Sequence, residues 1–205
     1  MDLGVKNDLT AVGLGFWDPR LKKFFLEDER HMNGPDMTTQ RLYAMVKHAE
    51  RDLWGWPSQA YRRISDNNNP LLLQDLSLLY GMSFMATSKD SLHAMVNAVR
   101  EFIHAGALVI HPRCTMTIGA LKYGLWNKKR TEFDRSKLYG HYDHLAMLMY
   151  LIRNIDTENN RIPWNYGIKL DPDSSWANKE KLKKETGTIQ ALKKLVNLNN
   201  KRKRQ

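Results

Sequence analysis

A chain of 205 residues with 42% hydrophobic residues, including 10 Met, 6 Trp, 8 Tyr and 6 Phe, has the material for one packed core and is excluded from the disordered and fibrous classes. Its single cysteine, Cys114, excludes an intramolecular disulfide, no apolar run approaches the ~20 residues of a membrane span, and Asp2, Lys6 and Asp8 interrupt any secretory leader. The net charge of +10 is concentrated at one end: from Asn178 onward ten Lys and Arg face only Glu180 and Glu185, a net of +8 that leaves +2 for residues 1–177. A reducing, cytoplasmic setting is implied, and the basic end is either a phosphate-contacting tail or a solvated one.

Met1 to Val5 and Leu9 to Trp17 are short apolar segments separated by the turn-prone Lys6-Asn7-Asp8, and Asp18-Pro19-Arg20 follows them. Lys22 to Arg30, with Phe24, Phe25 and Leu26, completes a three-stranded meander. Met37 to Trp54 is expected as a helix capped by Thr38 or Thr39, with Leu42, Met45, Val46 and Ala49 on one face. Tyr61 to Ser65 is a short strand running into Asp66, and Pro70 opens a helix through Leu79 that stops at Gly81. Met82 to Thr87 is a strand and Ser88 a helix cap. The helix that follows buries Leu92, Met95, Val96, Val99 and Ile103 and ends at Gly106, before a strand Ala107 to Ile110. A last helix spans His141 to Asn154, with Leu145, Leu148, Met149 and Ile152 on its buried face. This order predicts an α/β fold with an antiparallel start and parallel pairing later. The domain is expected over residues 1–155 and an irregular, basic tail over 156–205, in which Ile189 to Leu198 is a candidate helix.

Three acids fall at the ends of expected core elements: Asp2 in the first strand, Asp66 leaving the fourth, and Asp143 in the first turn of the last helix. Carboxylates ~4 Å apart repel by roughly 4 kcal/mol at an effective dielectric near 20, so a buried cluster calls for divalent cations. Mg²⁺ or Mn²⁺ suits an all-oxygen site, and two such ions ~3.5–4 Å apart can clamp a phosphodiester displacement without a protein nucleophile. His141 and His144 flank Asp143 as auxiliary ligands or proton donors, and Asp8 is close enough in sequence to join the site. Taken singly, each acid has an ordinary alternative: Asp2 as an exposed residue, Asp66 as a turn former before three Asn, Asp143 as a charge at a helix N-terminus. The remaining histidines show no zinc spacing with Cys114.

Four stretches stand out together: Asp2-Leu3-Gly4 with Asp8-Leu9-Thr10-Ala11; Ile64-Ser65-Asp66 with Asn69-Pro70-Leu71 and Asp75-Leu76; Thr87-Ser88-Lys89-Asp90 with Val99-Arg100, Gly106 and Ile110-His111-Pro112-Arg113-Cys114; and Gly140-His141-Tyr142-Asp143-His144-Leu145-Ala146 with Tyr150-Leu151-Ile152-Arg153-Asn154. In this order they resemble the ribonuclease H-like nuclease domain of phage terminase large subunits. The resemblance covers residues 1 to about 155 and implies a mixed sheet flanked by helices, with Asp2, Asp66 and Asp143 as catalytic, metal-binding acids. It departs from the family in having Met1 alone before the first acid, so either the first strand is curtailed or the chain is a fragment of a longer polypeptide.

The function so implied is cutting of concatemeric double-stranded viral DNA during packaging, in the cytoplasm of an infected bacterium. Lys89, Arg113, Lys122, Lys128, Lys129 and Arg130 would line the DNA groove. The implied partners are a packaging ATPase domain, the portal and the small terminase subunit, and no membrane. The chain carries no G-x-x-x-x-G-K-[ST] phosphate loop of its own. The alternatives are a Holliday-junction resolvase or transposase-like nuclease, and a non-catalytic DNA-binding packaging module.

Overall fold

The computed structural model describes residues 1–4, 8–55, 60–129, 133–134 and 142–155. The expected tail and its helix at 189–198 lie outside these residues, as do His141 and Arg130. Among the described residues no helix is long and apolar enough to cross a membrane.

The sheet begins with a hairpin. β1 (Leu9–Asp18) and β2 (Lys23–Asn33) pair antiparallel, joined by a turn in which Asp18 Oδ1 accepts from the backbone nitrogens of Arg20 and Leu21. The register shifts between Leu14 and Gly15, which pair with Asp28 and Leu26, so Glu27 is the extra residue of a bulge. Past the bulge the alternation is reset. Phe24 and Leu26 lie in one core, Asp28 and Arg30 pair with each other beside Asp52, and Glu29 reaches the opposite layer.

Residues 1–3 form the expected first strand in a minimal form. Asp2 and Ala11 exchange backbone hydrogen bonds of 2.8 and 2.9 Å as an antiparallel pair. On the other side, Met1 N donates to Ile64 O at 2.7 Å and Asp66 N donates to Met1 O at 3.3 Å, the slanted pattern of parallel pairing. This segment therefore joins the three-stranded sheet of β1, β2 and β5 (Leu108–Ile110), in that order, to the two-stranded parallel pair of β3 (Ile64–Ser65) and β4 (Met85–Ala86). β5 closes the far edge, parallel to β2. The meander and the later parallel pairing match expectation, whereas β3 and β4 are shorter than the stretches 61–65 and 82–87.

Helices cover both faces. On one side α1 (Thr39–Trp54) and α2 (Pro70–Tyr80) pack Leu42, Val46, Leu53, Leu72 and Leu76 against Met1, Leu3, Val12 and Leu14. Their ends follow the sequence: Thr38 and Asn69 accept from Arg41 N and Leu72 N as caps, and Gly81, at φ 62°, terminates α2. Glu50, buried on α1, accepts from Nε and Nη2 of Arg63 at 2.6 and 2.8 Å.

On the other side lie α3 (Leu92–His104), α4 (Thr115–Tyr123) and α5 (Asp143–Arg153). α5 is buried on nearly every side because it sits between β1 and the other two helices. Its approach to the sheet depends on Gly13: a Cβ there would overlap Met147 Sδ and Cε. The Met147 side chain is itself fully buried.

One expectation is corrected and one helix is added. The cap of α3 is Ser91, which accepts from Ala94 N at 3.3 Å; Ser88 bonds instead to Asp90. The helix starts late because residues 87–90 are engaged elsewhere: Thr87 N continues the β3 ladder and Arg153 grips Asp90 through its carbonyl and carboxylate. α4 has no counterpart in the sequence reading. Cys114 gives its start no side-chain cap; Glu29 supplies one from β2, accepting from Met116 N at 2.7 Å, Thr117 N at 3.0 Å and Thr117 Oγ1 at 2.6 Å.

Candidate active site

Asp2, Asp66 and Asp143 are all withdrawn from water, at 8%, 0% and 6% exposure. Each is placed by a different element. Asp2 is opposite Ala11 and so points to the α5 side of the sheet; Asp66 follows the last residue of β3; Asp143 is the first residue of α5. The residue before it, Tyr142, is left-handed at φ 62°, a conformation that costs a non-glycine residue about 1–3 kcal/mol. Burial of its ring against Phe133 and a 3.0 Å hydrogen bond from its hydroxyl to Tyr123 O hold it there.

The three acids act on one another. Burial first, and then the charges of Asp66 and Asp143, push the Asp2 carboxyl up to about 7, against the opposing pull of Lys89 and the Met1 amino group. Asp66 is held at both oxygens. Oδ1 accepts from Leu3 N at 3.0 Å and from Ser65 Oγ at 3.4 Å, while Oδ2 takes Lys89 Nζ at 2.7 Å. Lys89 also reaches Asn68 Oδ1 at 2.8 Å and lies over the Tyr150 ring, 5.8 Å from its centroid.

Tyr150, Asn68 and the role of Lys89 were missed by sequence reasoning. Tyr150 is buried, and its phenol is pushed well above the usual range, chiefly by burial, then by the charges of Asp2 and Asp66 and by a hydrogen bond to Asp2. Its position seven residues after Asp143 was the available signal, since residues two turns apart share a helix face. At the end of α5, Asn154 Nδ2 donates to Thr87 Oγ1 at 2.7 Å and ties the helix to the strand that leads to Lys89.

The other expected site residues that the structure describes make contacts of their own. His144 is buried but turns to His31, edge to face at 5.3 Å between ring centroids, and its Nε2 has no hydrogen-bond partner among the described residues. Burial and, less strongly, His31 lower its imidazole to about 4, against the influence of Glu29. Asp8, at the threshold of β1, is half-buried, and its carbonyl accepts from Gly34 N. Arg113 is exposed and bonds to His111 Nδ1; Lys122, Lys128 and Lys129 are exposed, with Lys128 at the rim of a cavity of about 520 Å³ that Arg100 and Trp126 also line.

Among the described residues no three His, Cys, Asp or Glu side chains converge closely enough to hold a metal ion. The acids nevertheless form an all-oxygen donor set under mutual repulsion, which in chemical terms fits a hard divalent cation. In this arrangement Asp66 is paired with the Lys89 ammonium group at 2.7 Å.

Compared by sequence, the chain matches no family model and no curated protein. Compared by structure, it is similar to the large terminase of a thermophilic bacteriophage, 18% identical at a TM-score of 0.61 over 75% of this chain. That match covers 37% of the thermophilic phage protein, so the chain spans little more than a third of its length. The nuclease domain of the bacteriophage SPP1 large terminase, g2p, with bound Mn, aligns at a TM-score of 0.53 and 16% identity, over 74% of this chain and 82% of that one. The P22 large terminase nuclease domain aligns at a TM-score of 0.53 and 12% identity, over 73% and 75% of the two chains. The mixed sheet, with its antiparallel meander, parallel strands and flanking helices, is therefore the ribonuclease H-like α/β fold of the terminase nuclease domains.

Proposed function

We propose that the chain is a Mg²⁺- or Mn²⁺-dependent endonuclease of the phage terminase large-subunit type, which cuts concatemeric double-stranded viral DNA during genome packaging. The observation that carries this reading is the burial of Asp2, Asp66 and Asp143 from three separate elements, where burial first, and then the charges of Asp66 and Asp143, raise the Asp2 carboxyl to about 7. A structural fold gains nothing from three such acids, because each buried charge costs several kcal/mol unless it is compensated. Their position in a fold shared with the Mn-bound SPP1 nuclease domain adds support.

Asp2, Asp66 and Asp143 would hold the metal, in a reading that takes two ions; bound there, the ions supply charge neutralisation and water activation. The chain's own residues prepare the donors. Leu3 N fixes the Asp66 carboxylate by one oxygen and leaves Oδ2 toward the site, while Tyr150 orients Asp2. Lys89, Arg113, Lys122, Lys128 and Lys129 are the described cations proposed for phosphate contact, and Arg130 is proposed with them. A packaging ATPase, the portal and the small terminase subunit are the partners this function entails, and the infected bacterial cytoplasm is its place.

The test is cleavage of linear duplex and of a four-way junction with Mn²⁺, Mg²⁺ or a chelator, using wild type and Asp66→Ala. Metal-dependent duplex cleavage lost in Asp66→Ala, with DNA binding retained, is expected. Preference for the junction would point to a resolvase-type nuclease. Salt-sensitive binding without turnover by the folded wild type would make the chain a non-catalytic packaging module.

A further inference from the structure

Among the ion pairs that engage a buried carboxylate in the described residues, two differ in kind. Glu50 is gripped by Arg63 through two parallel bonds, and the Arg63 side chain is only 16% exposed. Asp66 is met by Lys89 at a single oxygen, and the Lys89 side chain is 38% exposed. A planar guanidinium in a fork suits a permanent clamp, whereas an ammonium on a four-carbon stem is a point charge that can swing away.

We propose that Lys89 is the acidic cluster's built-in counter-cation, which a divalent cation such as Mn²⁺ must displace, so that metal uptake is an exchange of one cation for another. This rests on the metal-dependent reading above. Three features of the geometry carry it. First, the contested atom is a metal-ligand type: Asp66 Oδ1 is committed to Leu3 N and Ser65 Oγ, and Oδ2 is the oxygen that Lys89 takes. Second, three acids buried together need a positive charge, and Lys89 supplies it while resting on Tyr150, the side chain that also bonds to Asp2. Third, departure disturbs little. Lys89 belongs to the connection between β4 and α3, it is partly in water already, and the anchors of that connection are its neighbours: Thr87 to Ser65 O and Asn154, Asp90 to Arg153.

The exchange has a signature that a merely structural ion pair lacks, because removing the lysine charge strengthens metal binding. The experiment is calorimetric titration of Mn²⁺ into the full chain at mildly alkaline pH, for wild type, Lys89→Met, Lys89→Gln and Asp66→Asn, each first shown to keep the wild-type circular dichroism. Both Lys89 variants are expected to bind Mn²⁺ at least about tenfold more tightly, the scale of a charge-assisted hydrogen bond no longer in competition, and Asp66→Asn more weakly. Detectable binding by the Lys89 variants alone would also support the exchange. Equal or weaker binding by both Lys89 variants, with Asp66→Asn still impaired, would overturn the counter-cation role and leave the metal reading intact. No Mn²⁺ binding by wild type or any variant would overturn both.

Discussion

Leu3 N donates to Asp66 Oδ1 at 3.0 Å, so the first strand segment and the end of β3 are fastened together through one of the acids themselves. The hydrogen bond fixes Asp66 between Asp2 on one strand and Lys89 beyond the next, and its cost is a carboxylate with no access to water. The cluster is thus assembled by the sheet before any cation from solution arrives, and its charge balance is the property most open to measurement.

That balance predicts a pH dependence in the absence of metal. The Asp2 carboxyl titrates at 3.8 in an ordinary setting and at about 7 here, raised by burial, Asp66 and Asp143. The folded chain therefore holds a proton that the unfolded chain has released. Its stabilising contribution is complete below about 4 and is lost as pH rises through about 7, a change on the order of 4 kcal/mol. His144, lowered to about 4 by burial and His31, works the other way, its contribution present above 6.5 and lost as pH falls toward 4. The difference between wild type and Asp2→Asn isolates the first effect. Urea midpoints in chelator should show Asp2→Asn gaining on wild type as pH rises from 5 to 8, by part of that amount; parallel curves would contradict it.

Glu29 is predicted to hold α4 in place. Removing its carboxylate in Glu29→Ala leaves Met116 N and Thr117 N without their acceptor and should cost about 2–3 kcal/mol, with Glu29→Gln in between. Thermal and urea unfolding of the three proteins measure this. A loss under about 0.5 kcal/mol in Glu29→Ala would show that water caps the helix equally well.

Gly13 and Met147 are predicted to be coupled. Gly13→Ala should destabilise by about 1–3 kcal/mol through overlap with Met147, and the overlap should disappear when Met147 is shortened. A double-mutant cycle with Met147→Ala is expected to fall short of the sum of the single losses by at least about 0.5 kcal/mol. Additive losses would place the strain elsewhere.

What the sequence disclosed, and what it hid, follows from the range of the interactions involved. Pro70 and Gly81 mark the ends of α2 because capping is local, and the apolar segments of the meander and the acids at strand and helix ends were likewise visible within a few residues. α4 was invisible because its cap is Glu29, 87 residues before Met116. Ser88 resembled a cap until Lys89 and Asp90 were drawn to Asp66 and Arg153. His144 was assigned to the site by adjacency to Asp143, but successive residues on a helix do not face each other, and it points to His31 instead. Lys89, expected at a DNA groove, also meets Asp66 of the acidic cluster, a pairing across 23 residues that depends on the parallel alignment of β3 and β4. Tyr150 was hidden by the apolar stripe of α5, which covers nearly all of the helix.

The metal-dependent nuclease reading is tested most directly by nicking and linearisation of plasmid DNA by the purified chain with Mn²⁺, Mg²⁺ or EDTA, wild type against Asp143→Asn. Cleavage is expected to require the metal and to fall at least about a hundredfold in the variant, whose circular dichroism stays that of wild type. Metal-independent cleavage, or equal cleavage by Asp143→Asn, would contradict it.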